Sequence, residues 1–152
     1  MTFRQAVQAT PAIRHAYRPG LKALAEIDRA KITCNSPRQL TGSIHLDEEL
    51  RGAEPHSARW DYGVGYRGSK AENAIWIEVH PASSDSVSDM VNKLRWLKNW
   101  LRSQAPKLWE LTRGDYRWVS TDGRIAISPN SPQAKRLATA GLRGPMRRLL
   151  LK

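Results

Sequence analysis

A single-domain α/β fold is what this sequence predicts, and three observations predict it. The stretches Arg59-Trp60-Asp61-Tyr62-Gly63-Val64-Gly65-Tyr66 and Ala74-Ile75-Trp76-Ile77-Glu78-Val79-His80 are short, aromatic and β-branched, with a Gly/Ser/Lys/Asn segment between them, as two strands joined by a turn would be. After Pro81 the apolar period lengthens, and Val87, Met90, Val91, Leu94, Leu97, Trp100 and Leu101 form a stripe of helical spacing, the pattern of an amphipathic helix against a core. The chain has 152 residues, enough for one core and too few for two comfortable ones.

In chain order, Thr10-Pro11 and Arg18-Pro19-Gly20 each offer a helix start. Leu21, Leu24, Ala25 and Ile27 then fall at helical spacing and predict a helix over 19–31, ended by Asn35-Ser36-Pro37. Residues 40–47 alternate Ile44 and Leu46 against Ser43, His45 and Asp47, which predicts a first strand. Residues 48–57 read as a connection. Three strand signals with short links imply a meander whose strands each have one apolar and one polar or small face. Ser86 and Asp89 have capping-box spacing for the long helix, which Pro106 ends. Residues 116–120 and 124–128 flank Thr121-Asp122-Gly123 and predict a hairpin. Ser131-Pro132 opens a short helix that Gly141 stops, and 147–152 reads as a terminal strand. The domain then divides into an N-terminal extension (1–18), a core (19–120) and a basic C-terminal extension (121–152).

Hydrophobic residues make up 40% and charged ones 26%, a balance that excludes general disorder. The six Trp are expected in the core rather than as base-stacking platforms. A net charge of +11 suits a polyanion, nucleic acid first, with an acidic protein partner as an alternative. No acidic residue follows Asp122, whereas seven cations do. No apolar run approaches the roughly 18 residues of a spanning helix, and the first residues lack a signal-peptide core, so no membrane association and a cytoplasmic location are the expectation. Cys34 is the lone cysteine, and it and the four His are not spaced as zinc ligands.

Alternation along a strand sets Glu78 and His80 on one face and Ile75, Ile77 and Val79 on the other. Asp61 shares its face with Gly63 and Gly65. Paired as a hairpin, the two strands would bring an Asp, a Glu and a His together above an open floor, an arrangement suited to a hard cation and a phosphate. His45 and Asp47 lie on the neighbouring polar face. The plain alternative is that Asp61 and Glu78 are solvated or pair with Arg59 and Arg67; against it, Glu78 interrupts an apolar run, where an unpaired carboxylate is costly to bury. His80, at a strand end before Pro81, has an equally ordinary structural reading. Gly63-Val64-Gly65 lacks the following helix of a dinucleotide loop. Arg95, Lys98 and Arg102 share one helix edge, and with Lys135, Arg136, Arg143, Arg147 and Arg148 they are the candidate nucleic-acid contacts, which would touch phosphate without reading bases.

The order helix, three-strand meander, long helix, strand, together with Asp61 and Glu78-Val79-His80, resembles the PD-(D/E)XK phosphodiesterases, the restriction-endonuclease-like superfamily. The resemblance covers roughly residues 19–120 in topology and only these four residues in motif. It implies a restriction-endonuclease-like core and Mg²⁺ (or Mn²⁺) held by Asp61, Glu78 and the Val79 carbonyl, with Glu26 as an assisting acid on the first helix. In that superfamily a Lys stands two residues after the Glu; here His80 takes the place, so the motif reads Asp…Glu-x-His, and the implied base is an imidazole without lysine's permanent charge. The expected activity is metal-dependent cleavage of DNA or RNA. The alternative is an inactive module of the same fold that binds nucleic acid or a protein through its basic surface.

Overall fold

The computed structural model describes residues 1–152. Its centre is a five-stranded mixed sheet whose strands lie side by side in chain order. β2 (Leu40–His45), β3 (Tyr62–Arg67) and β4 (Glu72–Ser83) form the antiparallel meander, and Gly68 N–H donates to Ala71 O (2.9 Å) at the turn between β3 and β4. The long helix α4 (Ser86–Gln104) and the short α5 (Pro106–Leu111) carry the chain back, so that β5 (Thr112–Ala126) pairs parallel with β4. A second crossover through α6 (Pro132–Ala140) delivers β6 (Leu142–Met146) parallel to β5. The remaining strands, β1 (Ile32–Cys34) and β7 (Leu149–Leu151), form a separate parallel pair.

Each strand sends alternate side chains into one of two apolar clusters. Trp76 and Trp118 enter the larger cluster with Met90, Leu94, Leu97 and Leu101 of α4 and Phe3 of α1 (Phe3–Gln8). Tyr62, Val64, Tyr66, Ile75 and Ile77 point the other way, onto Leu24, Ile32, Leu149 and Leu151. Four of the six Trp are buried (60, 76, 100 and 118), and Trp96 and Trp109 are half-buried against the same core. No helix is long and apolar enough to cross a membrane.

Several sequence expectations change. The helix expected over 19–31 shrinks to α2 (Glu26–Arg29). Arg18 exchanges backbone hydrogen bonds with Ser43 of β2, which ties the start of the segment to the sheet edge, and Ala23 and Ala25 give their N–H groups to the Ser43 and Tyr62 hydroxyls, where a longer helix would need them for itself. Only Leu24 of the expected stripe is buried, while Ile27 is 70% exposed. Asp47 does not continue the first strand, because the chain turns into α3 (Leu46–Leu50) after His45. The capping box at Ser86 does not form, as its hydroxyl meets that of Ser83 instead. Pro106 ends α4 and also opens α5, a role suited to a residue without an N–H. The hairpin around Asp122-Gly123 is absent: Ser120 pairs with His80 and Ile125 with Ala82, so both flanks bond to β4 and the intervening residues bulge outward. The Asp-Gly turn chemistry survives in that bulge, with Gly123 at φ 78° and the Asp122 carboxylate accepting from Arg124 N–H.

Two segments expected as extensions belong to the core. α1 buries Phe3, Ala6 and Val7 behind a complete Thr2/Gln5 capping box, a signal legible in the sequence. At the other end, β6 completes the sheet and β7 buries Leu149 and Leu151.

The open floor expected beside Asp61 is filled. A Cβ on Gly63 would stand 2.6 Å from the Trp76 ring, and one on Gly65 would stand 2.6 Å from Phe3. The glycines are where an indole and α1 lie on the strand. Gly63→Ala is accordingly expected to destabilise the protein by about 1–3 kcal/mol through overpacking, measurable as a lower urea midpoint.

Candidate functional site

The polar cluster lies at the sheet end where β2 finishes, β3 begins and β4 nears its close. His45 is the last residue of β2, Asp47 falls in the first turn of α3, and Asp61 immediately precedes β3. The Asp61 carbonyl accepts from Leu46 N–H (2.8 Å) and Asp47 N–H (3.4 Å), which holds the two aspartates beside each other. One ligand atom from each of His45, Asp47 and Asp61 lies within 4.8 Å of the other two, and all three residues are half-buried.

Beneath this group lies Glu78, 1% exposed. One of its oxygens accepts from Asp61 N–H (2.8 Å) and the other from Lys93 Nζ (2.8 Å) on α4. Lys93 also donates to the Arg59 carbonyl (3.2 Å). In return, Asp61 Oδ2 accepts from Val79 N–H (3.0 Å). Each carboxylate is thus tied to the backbone of the opposite strand. Asp47 accepts from Arg59 Nε (3.0 Å) and, at the rim, from Arg51 (3.4 Å).

Burial, reinforced by the Asp61 charge, pushes the Glu78 carboxyl from its ordinary 4.5 up to about 8, against the opposing pull of Lys93 and the Asp61 N–H. Burial also raises the Asp61 carboxyl, partly offset by the Val79 N–H and Lys93. For Lys93, burial alone would lower the ammonium, but the Glu78 charge and hydrogen bond outweigh it and the net shift is upward. Glu78 and Lys93 are thus coupled, each favouring the other's charged form, although for Glu78 burial outweighs that pull. Around them, three acids (Asp47, Asp61 and Glu78) are met by Lys93, Arg59 and, at the rim, Arg51, and Asp61 is the one that pairs with none of these cations.

The structure brings Asp61 and Glu78 together and leaves His80 apart from both. Its Nδ1 lies 3.0 Å from Pro81 O, and its ring stands edge-on to Trp118; no hydrogen bond links it to either carboxylate. The histidine of the cluster is His45, whose ring lies 4.6 Å from that of Tyr62. At Val79 it is the N–H, not the carbonyl, that meets Asp61. Glu26 is exposed on α2 and makes no contact with the cluster. Lys93 was legible as a cation standing three residues after Met90 and four before Leu97, on the edge of an apolar stripe that faces a glutamate-bearing strand. The partner of Glu78 therefore comes from the helix and not from the strand two residues on.

The eight candidate phosphate contacts do not form one surface. Lys98 lies over the Tyr116 ring (5.2 Å) and reaches the Ala140 carbonyl, and Arg102 lies over Trp109 (4.7 Å). Arg136 donates to Ser88 Oγ (2.8 Å), whereas Arg95 and Lys135 are exposed. These five belong to the helical side. Arg143 lies on the opposite side, in a cleft with Arg117, and Arg147 and Arg148 line a separate hollow with Lys31 and Asp122.

By its fold the chain is a single α/β domain built on a mixed five-strand sheet with six helices. No family model, curated protein or solved structure matches it.

The buried pair generates a pH-dependent expectation. A Glu whose folded pKa lies above its unfolded one contributes stability that is full below about 4.5 and is lost as pH rises towards about 8. Lys93→Met removes the counter-charge, so its destabilisation should be about 3 kcal/mol at pH 8 and smaller at pH 5, where a protonated Glu78 needs no partner. Urea denaturation at the two pH values measures the difference.

Proposed function

We propose that this protein is a divalent-metal-dependent phosphodiesterase acting on nucleic acid. The observation that carries this reading is the half-buried His45–Asp47–Asp61 group, with ligand atoms within 4.8 Å of one another, set directly above the buried Glu78–Lys93 pair. The topology supports it as well: an antiparallel meander, a crossing helix and a strand parallel to the third follow the order of the restriction-endonuclease-like core, which we infer here.

The donor set is two carboxylates and an imidazole. Carboxylates suit Mg²⁺, but an imidazole nitrogen suits a transition metal better, so Mn²⁺ fits these residues at least as well as Mg²⁺. A bound divalent ion would polarise the scissile phosphate and lower the pKa of a bound water. The chain's own residues do the rest. Val79 N–H engages Asp61 Oδ2 and leaves Oδ1 available. Arg59 holds Asp47 against the cluster. Lys93 fixes Glu78 by its hydrogen bond and favours its ionised form, and in this reading it supplies the positive charge that the Asp…Glu-x-His motif lacks. In this reading His80, whose Nδ1 faces Pro81 O and whose ring stands against Trp118, is not the base.

One observation favours a second reading. Both oxygens of Glu78 are already engaged, by Asp61 N–H and by Lys93, as in a scaffold that keeps its carboxylates for structure and binds nucleic acid or a protein through its cations.

Mn²⁺ is expected to raise the melting temperature of the wild type and not of Asp61→Asn, because only a specifically bound ion stabilises the native state. Asp61→Asn and Lys93→Met should each slow Mn²⁺-dependent cleavage of labelled DNA or RNA by about 100-fold or more. No thermal response and no cleavage, with salt-sensitive nucleic-acid binding retained, would replace the enzyme with the binding module.

A further inference from the structure

We propose that the cleft formed by β5, β6 and the C-terminal strand is a binding site for a phosphate monoester, separate from the Asp61 cluster. The cleft has a volume of about 470 Å³, within the usual range for small-ligand sites. Arg113 and Arg117 of β5 and Arg143 of β6 all line it. Arg117 and Arg143 are direct partners across the two parallel strands, a placement in which like charges repel.

A single carboxylate answers these three guanidinium groups. Asp115 pairs closely with Arg117 and lies 4.0 Å from Arg143 Nη1. Arg113 has only the Glu110 carbonyl. Lys152 also lines the cleft, so four cationic side chains face one carboxylate and three formal positive charges lack a counter-ion. Guanidinium forks match the oxygens of a tetrahedral phosphate and bind them in pairs, and a monoester dianion supplies two of the three missing charges.

The other walls of the cleft include Tyr66, Ile75 and Leu151, apolar surface suited to a larger organic body rather than a bare ion. Together these walls describe a nucleotide-sized phosphate. The phosphate can belong to a free nucleotide or to the 5′ end of a nucleic-acid strand.

The position excludes a shared role with the metal-binding group. The cleft opens beside Asn73 and Ile75, at the start of β4, whereas Glu78 and Asp61 lie towards its other end. It also opens on the sheet face away from α4, since Ile75 and Leu151 belong to the cluster on that side.

The test uses the full chain at constant ionic strength, with sodium chloride as the control. Probes are inorganic phosphate, a nucleoside 5′-monophosphate, and one oligonucleotide with either a 5′-phosphate or a 5′-hydroxyl. At about ten times its Kd the monophosphate should raise the melting temperature by about 3 °C or more beyond the chloride control. A free-nucleotide ligand gives this response with no preference between the two oligonucleotides. A strand-end ligand gives at least about tenfold tighter binding of the phosphorylated one by fluorescence anisotropy.

Arg143→Gln, at a side chain 63% exposed, should abolish either response and raise the melting temperature without phosphate, because it relieves the repulsion with Arg117. Arg113→Gln should also abolish it. Asp61→Asn should leave it intact, which separates this site from the phosphodiesterase reading. The proposal is overturned if no phosphate probe exceeds chloride, if the response persists in both arginine variants, or if the oligonucleotides bind equally while the monophosphate does nothing.

Discussion

The buried contact between Glu78 and Lys93 organises the structure. A carboxylate 1% exposed in the middle of a strand must have a charged partner or remain protonated, and here the partner reaches down from α4 while Asp61 N–H closes the other oxygen. Because Lys93 also donates to the Arg59 carbonyl, one ammonium pins a helix, a strand and the segment entering the next strand to a single point. An apolar pair of equal volume would stabilise the core as well or better. What the ion pair supplies is position: it sets the rotation of α4 about its axis and holds β3 and β4 in the register from which Asp61 projects towards His45 and Asp47.

Around that point the two sheet faces solve different packing problems. On the α4 face, β3 presents Gly63 and Gly65, and the missing side chains are replaced by Trp76 and by Phe3 from α1. On the other face the same strand presents Tyr62, Val64 and Tyr66, covered by residues from β1 and β7. Both ends of the chain are therefore committed to the core. The charge of the C-terminal segment is correspondingly distributed over structured surface: Arg143 extends from β6 into a cleft, and Arg147 and Arg148 lie at the turn between β6 and β7. The excess positive charge forms several separate patches instead of one tail.

Much of the architecture could be read from residue order. The long helix starts one residue before its stripe and ends three beyond it, the meander forms as the alternation of Ile44, Val64 and Ile75 required, and Ser131 and Gly141 cap α6 as their chemistry dictates. The failures have a common physical origin. The segment after Pro19 has apolar residues at helical spacing, yet the Ser43 and Tyr62 hydroxyls take the N–H groups of Ala23 and Ala25; the flanks of Asp122-Gly123 are strand-like, yet both pair with β4, and they meet each other through the Ser120 hydroxyl donating to the Arg124 carbonyl. In both, long-range hydrogen bonds outweighed a valid local preference.

The site divides in the same way. That Glu78 interrupts an apolar run, that Asp61 precedes a strand and that the chain carries a large positive excess follow from the sequence alone, because burial pattern, strand period and charge are properties of residue order. Which cation meets Glu78, which histidine stands beside Asp61 and how the arginines group were decided only by the tertiary structure. Those outcomes depend on how α4 is rotated, where β2 turns into α3 and which strand β6 adjoins, and such contacts between residues far apart in the chain leave no local trace.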